Sequence, residues 1–556
     1  MTEAVSALEA RRDQMFPRLS PAEMARITPL GHLQSFEPGE AMRRVGEAGH
    51  GMTLVLEGEV EITQRRADGT RRLIETYGPG SFIGELAQLT GRPSLADAHA
   101  KGPVKAAVLT PEGLRGLLIA EADLGERIMR AFILRRVLLI EAHAGGPIIV
   151  GHAGAAAVLE LETFLNRNGH PWLTLDAETD AEGRALLERF HVTPGEWPVV
   201  LCPAGQVLRK PTVEQLARCI GLVSAIDSTK VFDVAVVGAG PAGLATAVYA
   251  GSEGLSAIVL DARAFGGQAG ASARIENYLG FPTGISGLAL TARAYNQAQK
   301  FGVEMAIPDQ VDTLEPADDG DAHKRLQLTD GETVRARTVV IASGAFYRKL
   351  QIPRLAEFEM TAVHYWASPI EARLCTGTDV ALVGAGNSAG QAVVFLASQA
   401  RSVLMLVRGE GLEATMSRYL IDRIRSLPNV TVKTRSEVTA LEGEDGALEA
   451  IRWRAANGAE HVSALRHLFC FIGADPNAGW LAGSGVALDL NGFVLTGRDA
   501  GPGERHLLET SRPGVFAVGD VRAGSTKRVS AAVGDGAQVV AAIHTHLAPA
   551  GPALVT

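Results

Sequence analysis

The sequence predicts a multi-domain chain: a β-roll, a small α/β layer, and two doubly wound α/β domains. Three observations predict it. Short strands cut by turns run from about residue 18 to 122. The hydrophobic period then changes over 147–226. A strand–glycine–helix unit at 232–261 recurs at 379–407, and strands alternating with helices build a doubly wound sheet.

The length, 556 residues, suggests about three to five domains. With 46% hydrophobic and 21% charged residues the chain is ordinary globular protein. A net charge of −9 argues against a nucleic-acid partner, because phosphate binding needs a basic face. Arg65, Arg66, Arg71 and Arg72 flank Asp68-Gly69 and read as a solvated hairpin turn. No basic segment leads into an apolar core at the N-terminus. The most apolar stretches, 234–250 and 380–398, are punctuated by glycine and read as strand plus helix. A cytosolic protein with no membrane partner is expected. Cys202, Cys219, Cys375 and Cys470 are far apart in sequence. They form no CxxC, no metal spacing and no local disulfide pattern, so no metal is expected.

The elements follow in order. Strands at 52–62 and 72–77, joined across Asp68-Gly69, and a helix at 123–141 predict a β-roll closed by a helix. Strands at 147–150 and 172–175, a hairpin at 197–201 and 206–208, and helices ending near 166, 191 and 222 give the order βαβαββα. Ser224 to Lys230 reads as a linker.

Each dinucleotide unit has a physical logic. In the first, Gly238-Ala239-Gly240-Pro241-Ala242-Gly243 joins an apolar strand to a small-residue helix. Gly238 permits the tight turn, Gly240 admits a pyrophosphate, and Gly243 lets helix pack on strand. Free N–H groups at the helix start face the phosphates. Asp261, 23 residues after Gly238, stands where a carboxylate accepts from a ribose hydroxyl. The second unit carries Gly384, Gly386, Asn387, Ser388 and Ala389. Val407 stands where Asp261 stands in the first unit, and Arg408 follows it. An apolar residue followed by arginine suits a 2′-phosphate, so NADPH is favoured over NADH. Two such units in one chain suggest a flavin enzyme that takes hydride from a nicotinamide.

Further motifs sharpen this. Gly266-Gly267-Gln268, Ile275 to Pro282 with Asn277, the Gly344 turn, and Gly514 to Asp520 with Gly519 together resemble the thioredoxin reductase family over about 231–548. The resemblance implies FAD-binding segments at 231–346 and 473–548, a nicotinamide domain at 347–472, and a homodimer. Asp520 would accept from a ribityl hydroxyl, and Asn277 would bond the flavin or its ribityl chain. Val529 and Ser530, after Arg528, open a helix whose start favours negative charge on the flavin. The family's CxxC position reads Ala367-Ser368-Pro369-Ile370, so the dithiol that reduces protein disulfides is missing. The family's phosphate clamp reads Val407-Arg408-Gly409, with Arg418 as a further candidate cation.

The first domain, over 18–141, resembles a cyclic nucleotide-binding domain through Gly39, Gly46, Gly58 and Gly84-Glu85-Leu86-Ala87. Glu85 would hold the ribose. The consensus arginine position reads Ser94, with Arg92 two residues early, so both binding of a cyclic nucleotide and a purely docking role stay open. The middle domain, over 147–226, resembles thioredoxin, with Pro198 at the cis-proline position and no cysteine at its redox loop. It is expected to be redox-inert. The expected activity is electron transfer from NADPH through FAD to an acceptor the sequence does not name. Alternatives are disulfide reduction through Cys375 or a partner's cysteine, and a non-catalytic flavoprotein sensor.

Overall fold

The computed structural model describes residues 11–47, 51–65, 71–85, 89, 93–141, 145–223, 226–316, 323–359, 361–444 and 447–548. The chain divides into two compact units. One is Met1–Ala225 with Asn296–Pro308; the other is Ile226–Tyr295 with Asp309–Thr556.

The first unit opens with a β-roll. Its strands are β1 (His32–Phe36), β2 (Ala41–Arg43), β3 (Met52–Glu57), β4 (Val60–Arg65), β5 (Arg71–Tyr77), β6 (Phe82–Ile83), β7 (Asp97–Ala100) and β8 (Val104–Leu109). They form two antiparallel sheets, β1-β8-β3-β6 and β2-β7-β4-β5. The strand expected over 52–62 is broken at Gly58. Its φ is 89°, and a Cβ there would lie 2.3 Å from the Pro103 carbonyl oxygen, so only glycine lets the chain step between sheets. The Asp68-Gly69 turn lies outside the described residues. Helix Ala122–Glu141 closes the roll by burying Leu124, Ile128, Ala131 and Phe132 against Phe82 and Leu109.

The thioredoxin-like module follows. Strands β9 (Ile148–Gly151), β10 (Leu173–Asp176), β11 (Val199–Leu201) and β12 (Val207–Arg209) pair in the order β10-β9-β11-β12. Helices Ala156–Arg167, Ala181–Arg189 and Val213–Cys219 complete the βαβαββα order. The Trp197–Pro198 bond is cis, as expected. One expectation is corrected: Cys202 and Cys219 form a disulfide. A separation of 17 residues hid the pair in sequence. The chain's return through β12 and the last helix brings their Cα atoms to 5.7 Å, within disulfide reach.

The second unit holds two lobes. In the first, β13 (Val231–Val237), β14 (Ala257–Leu260), β16 (Val311–Leu314), β17 (Lys324–Leu328) and β18 (Thr333–Ile341) run in the order β14-β13-β18-β17-β16, with Val515–Ala517 parallel to β18. Strand β15 (Glu304–Ala306) lies in the segment grouped with the first unit. β13 is apolar on both faces because it is a central parallel strand. The two crossings between lobes, β19 (Ala345–Tyr347) and β28 (Ala474–Pro476), pair antiparallel. The second lobe is a parallel sheet of β20 (Val363–His364), β21 (Asp379–Gly384), β22 (Ser402–Val407), β23 (Val430–Thr434) and β27 (His467–Phe471), ordered β20-β27-β21-β22-β23. An antiparallel meander, β24 (Glu437–Glu444), β25 (Ala447–Arg454) and β26 (Glu460–Ala464), accompanies it. No described helix is long and apolar enough to cross a membrane.

Candidate active site

The first cradle is built from glycines at close approach. Gly238 has φ 112°, and a Cβ there would lie 2.2 Å from the Ala342 carbonyl oxygen. A Cβ at Gly243 would lie 1.9 Å from the Gly238 carbonyl oxygen, so the helix Pro241–Ser252 rests directly on the turn. Gly240, the N-cap, faces space: its nearest neighbour to an added Cβ is the Gly267 Cα at 3.9 Å. That opening, at a helix start carrying unpaired N–H groups, fits a pyrophosphate. Asp261 shapes the same turn. Its Oδ2 accepts from Ala239 N at 2.9 Å, and its Oδ1 accepts from Arg263 N and Ala264 N at 2.9 and 3.1 Å. A carboxylate oxygen has two lone pairs, so Oδ2 retains capacity for a ribose hydroxyl. Gln268 Nε2 donates to the Ala345 carbonyl, tying this loop to the lobe crossing just past Gly344.

The C-terminal segment returns to the same place. A Cβ at Gly519 would lie 2.9 Å from Ala242 Cβ, and one at Gly536 would lie 2.3 Å from the Ala242 carbonyl oxygen. Helix Val529–Leu547 thus lies against helix Pro241–Ser252. Gly519 N donates to Asp535 Oδ2 at 3.0 Å, and Arg522 pairs with Asp535 at 3.2 Å. Between them sits Asp520. Burial pushes its carboxyl above the usual carboxylate range, with Lys527 opposing and Asp535 adding. Val529 and Ser530 are the first two residues of the helix. Ser530 lines an open depression of about 550 Å³ with Asn277 and the loop Glu276–Pro282. The structure therefore gathers Gly240, Gly267, Asp520, Asn277 and Ser530 within one lobe.

The second cradle repeats the first. Gly384 has φ 147°, and a Cβ there would lie 2.4 Å from the Phe471 carbonyl oxygen; among the described residues nothing lies within 4 Å of a Cβ at Gly386. Asn387 Oδ1 accepts from Ser417 N at 2.7 Å, and Thr415 Oγ1 donates to the Ala385 carbonyl at 2.8 Å. These bonds fold the 408–417 loop over the turn. Ala389 is buried and Ser388 exposed at the helix start. Val407 is fully buried and Arg408 exposed beside it. Arg418, 76% exposed, is spent within its own helix: its Nε donates to both Asp422 oxygens at 2.9 and 3.0 Å.

Where a dithiol would stand there is a capped turn. Ala367 and Ser368 are buried. Glu371 Oε2 accepts from Ser368 N at 2.9 Å and from its hydroxyl, while Oε1 accepts from Trp366 Nε1 at 2.8 Å. Cys375 and Cys470 are fully buried. Burial pushes both thiols up to about 12, with Glu371 and Glu359 adding respectively. Neither is a nucleophile at neutral pH.

The comparisons with known proteins fall on these cradles. The pattern described as "Pyridine nucleotide-disulphide oxidoreductase" matches residues 232–536. The chain belongs to this family. The cyclic nucleotide-binding domain pattern matches residues 33–121. Against thioredoxin reductase of Mycoplasmopsis pulmonis the chain is 32% identical over 317 residues, covering 56% of this chain and 96% of that protein. Against alkyl hydroperoxide reductase F of Pseudomonas putida it is 32% identical over 323 residues, 58% of this chain, and spans 59% of that protein's length. The crystal structure of Lactococcus lactis thioredoxin reductase superposes with a TM-score of 0.52 at 26% identity, over 57% of this chain and 98% of that one. Each cradle, through its open N-cap glycine, fits the pyrophosphate that FAD and NADPH, the cofactors of thioredoxin reductases, have in common.

In the roll, Glu85 is buried and its Oε1 has no hydrogen-bond partner among the described residues, while Arg136 Nη1 lies 3.4 Å from its Oε2. Arg43, buried nearby and held down to about 10 by that burial, also feels Glu85's charge. Gly84, with φ 149°, gives its carbonyl to Arg135 Nη1 at 2.9 Å. Ser94 is buried and donates to the Ala96 carbonyl at 2.9 Å. Leu86 and Arg92 lie outside the described residues. Sequence reasoning missed Arg43, Arg135 and Arg136. The signal for Arg135 was available, because it continues the apolar stripe Ile128, Phe132, Leu139.

Proposed function

We propose that this chain is an FAD-dependent NADPH oxidoreductase that passes electrons to an acceptor other than a simple protein disulfide. The observation carrying it is the pairing of two open dinucleotide cradles with a sulfur-free turn at Ala367-Ser368. FAD, when bound, would take hydride from the nicotinamide and pass the electrons on. The chain's own residues bind and orient. Gly240 and Gly386 leave room for pyrophosphates at two helix starts. Asp261 and Asp520 accept from the FAD ribose and ribityl hydroxyls. The start of helix Val529–Leu547 favours negative charge at the flavin edge. Arg408 meets the NADPH 2′-phosphate.

The reading includes a cytosolic homodimer and a ligand-binding roll. The buried Glu85 Oε1, without a hydrogen-bond partner among the described residues, supports a cyclic nucleotide there, its ribose hydroxyl donating to that oxygen. Anaerobic reduction by NADPH, followed by a screen of oxygen, quinones, ferredoxin or flavodoxin and thioredoxin, tests the acceptor. Calorimetry with cyclic AMP and cyclic GMP tests the roll; Glu85→Ala abolishes any heat on this reading.

A further inference from the structure

The Cys202–Cys219 disulfide sits between two loops that grip the β-roll. Cys202 opens the turn after β11: its N–H donates to the Gln206 carbonyl, and its own carbonyl accepts from Gly205 N, both at 2.8 Å. Cys219 ends the last helix of the module. Two residues beyond Cys202, Ala204 lies against Gly46 of the roll; a Cβ on Gly46 would be 3.2 Å from Ala204 Cβ. Two residues beyond Cys219, Gly221 lies under Pro93, where an added Cβ would be 2.3 Å from Pro93 Cγ. Gly145, at the module's start, is pressed equally close to the Leu95 carbonyl, 2.2 Å from an added Cβ. The gripped residues form one edge. Gly46 N donates to Ser94 O and Ser94 N to Glu47 O, each at 3.0 Å, and Val45 N donates to Asp97 Oδ1 at 2.8 Å.

We propose that Cys202–Cys219 is a redox site, opened by a dithiol, whose state sets how firmly the thioredoxin-like module holds the 45–47/93–97 edge of the roll. Cys219 is the more exposed of the pair and Cys202 the more buried, so attack comes at the Cys219 sulfur. One thiolate of the dithiol bonds to Cys219 Sγ, the Sγ–Sγ bond breaks, and Cys202 leaves as a thiolate that takes up a proton. The second thiol of the reductant then displaces Cys219, which is protonated in turn, and the reductant departs as a disulfide. Two electrons and two protons pass from the dithiol to the pair. No other cysteine of the chain competes, because Cys375 and Cys470 are buried with thiols pushed up to about 12. With the bond open, the turn at 202–206 and the helix end at 219–221 are no longer tied to each other. The two contacts on the edge then loosen independently.

The proposal needs neither flavin chemistry nor a nucleotide ligand, and its test uses the full chain. Free thiols are counted under denaturation after purification without reductant and again after dithiothreitol. Hydrogen exchange is then followed by mass spectrometry in peptides covering 41–47 and 93–100, with 104–120 as the internal control. The expected result is two free thiols rising to four. Exchange at the edge peptides should rise several-fold on reduction, return on reoxidation, and leave the control unchanged. Cys202→Ser with Cys219→Ser should show the fast exchange with or without dithiothreitol. Four free thiols in the untreated protein, or edge exchange identical in both redox states of the unmutated chain, would overturn it.

Discussion

Gly240 and Gly386 occupy equivalent positions in the two lobes, and each leaves open the space a side chain would fill. Gly240→Val therefore should yield colourless protein that no longer takes up FAD, read from the absorbance of the purified chain. Asp520 makes a pH-dependent prediction. Burial raises its carboxyl pKa in the folded chain, so the ligand-free protein gains relative stability as pH falls through that raised value and loses it as pH rises. A ribityl hydroxyl donates only to the ionised form with full strength, so FAD affinity should run the other way. FAD retained on ultrafiltration should decline as pH is lowered through the raised pKa, and Asp520→Asn should flatten the profile. Arg408 should matter for one nicotinamide alone. Losing a charge-assisted bond of ~1.5–3 kcal/mol raises KM for NADPH roughly ten- to a hundredfold. Arg408→Ala should leave KM for NADH unchanged.

Among the elements, the joint between helices Pro241–Ser252 and Val529–Leu547 carries the most weight, since on the proposed reading both helix starts would serve one cofactor. Gly536 lies so close to the Ala242 carbonyl that Gly536→Val forces the helices apart. Overpacking of this kind costs about 1–3 kcal/mol, and the expected outcome is a lower melting temperature together with weakened FAD binding. The sequence announced these helices through glycine spacing, because a turn that must have φ near 112° at Gly238 admits little else. It announced the roll and the module order through local patterns of strands and turns, and the cis-proline through the resemblance to thioredoxin. What it did not announce was long-range. The split at Gly58 depends on Pro103, and the packing of Gly536 depends on Ala242, 294 positions earlier. The sequence could show that Ala367-Ser368 lacks sulfur. It could not show that Glu371 fills the vacancy by capping Ser368, nor that Arg418 is tied up by Asp422.

At the scale of the whole molecule, four cysteines scattered through the sequence resolve into two buried thiols and one disulfide, and none of them belongs to the turn that precedes the nicotinamide cradle. No spacing rule could have paired Cys202 with Cys219, because the pairing is made by the module's tertiary return. On the proposed reading, the two cradles of the second unit carry electrons from NADPH to flavin with no dithiol at the exit. Cys375→Ser should accordingly leave NADPH oxidation with an artificial acceptor unchanged. The most direct measurement is anaerobic titration of the purified, FAD-loaded chain with NADPH, followed by addition of oxidised thioredoxin and then of an artificial electron acceptor. The flavin's visible absorbance should bleach with NADPH, stay bleached with thioredoxin, and return with the artificial acceptor. Failure to bleach, or prompt recovery on adding thioredoxin alone, would contradict it.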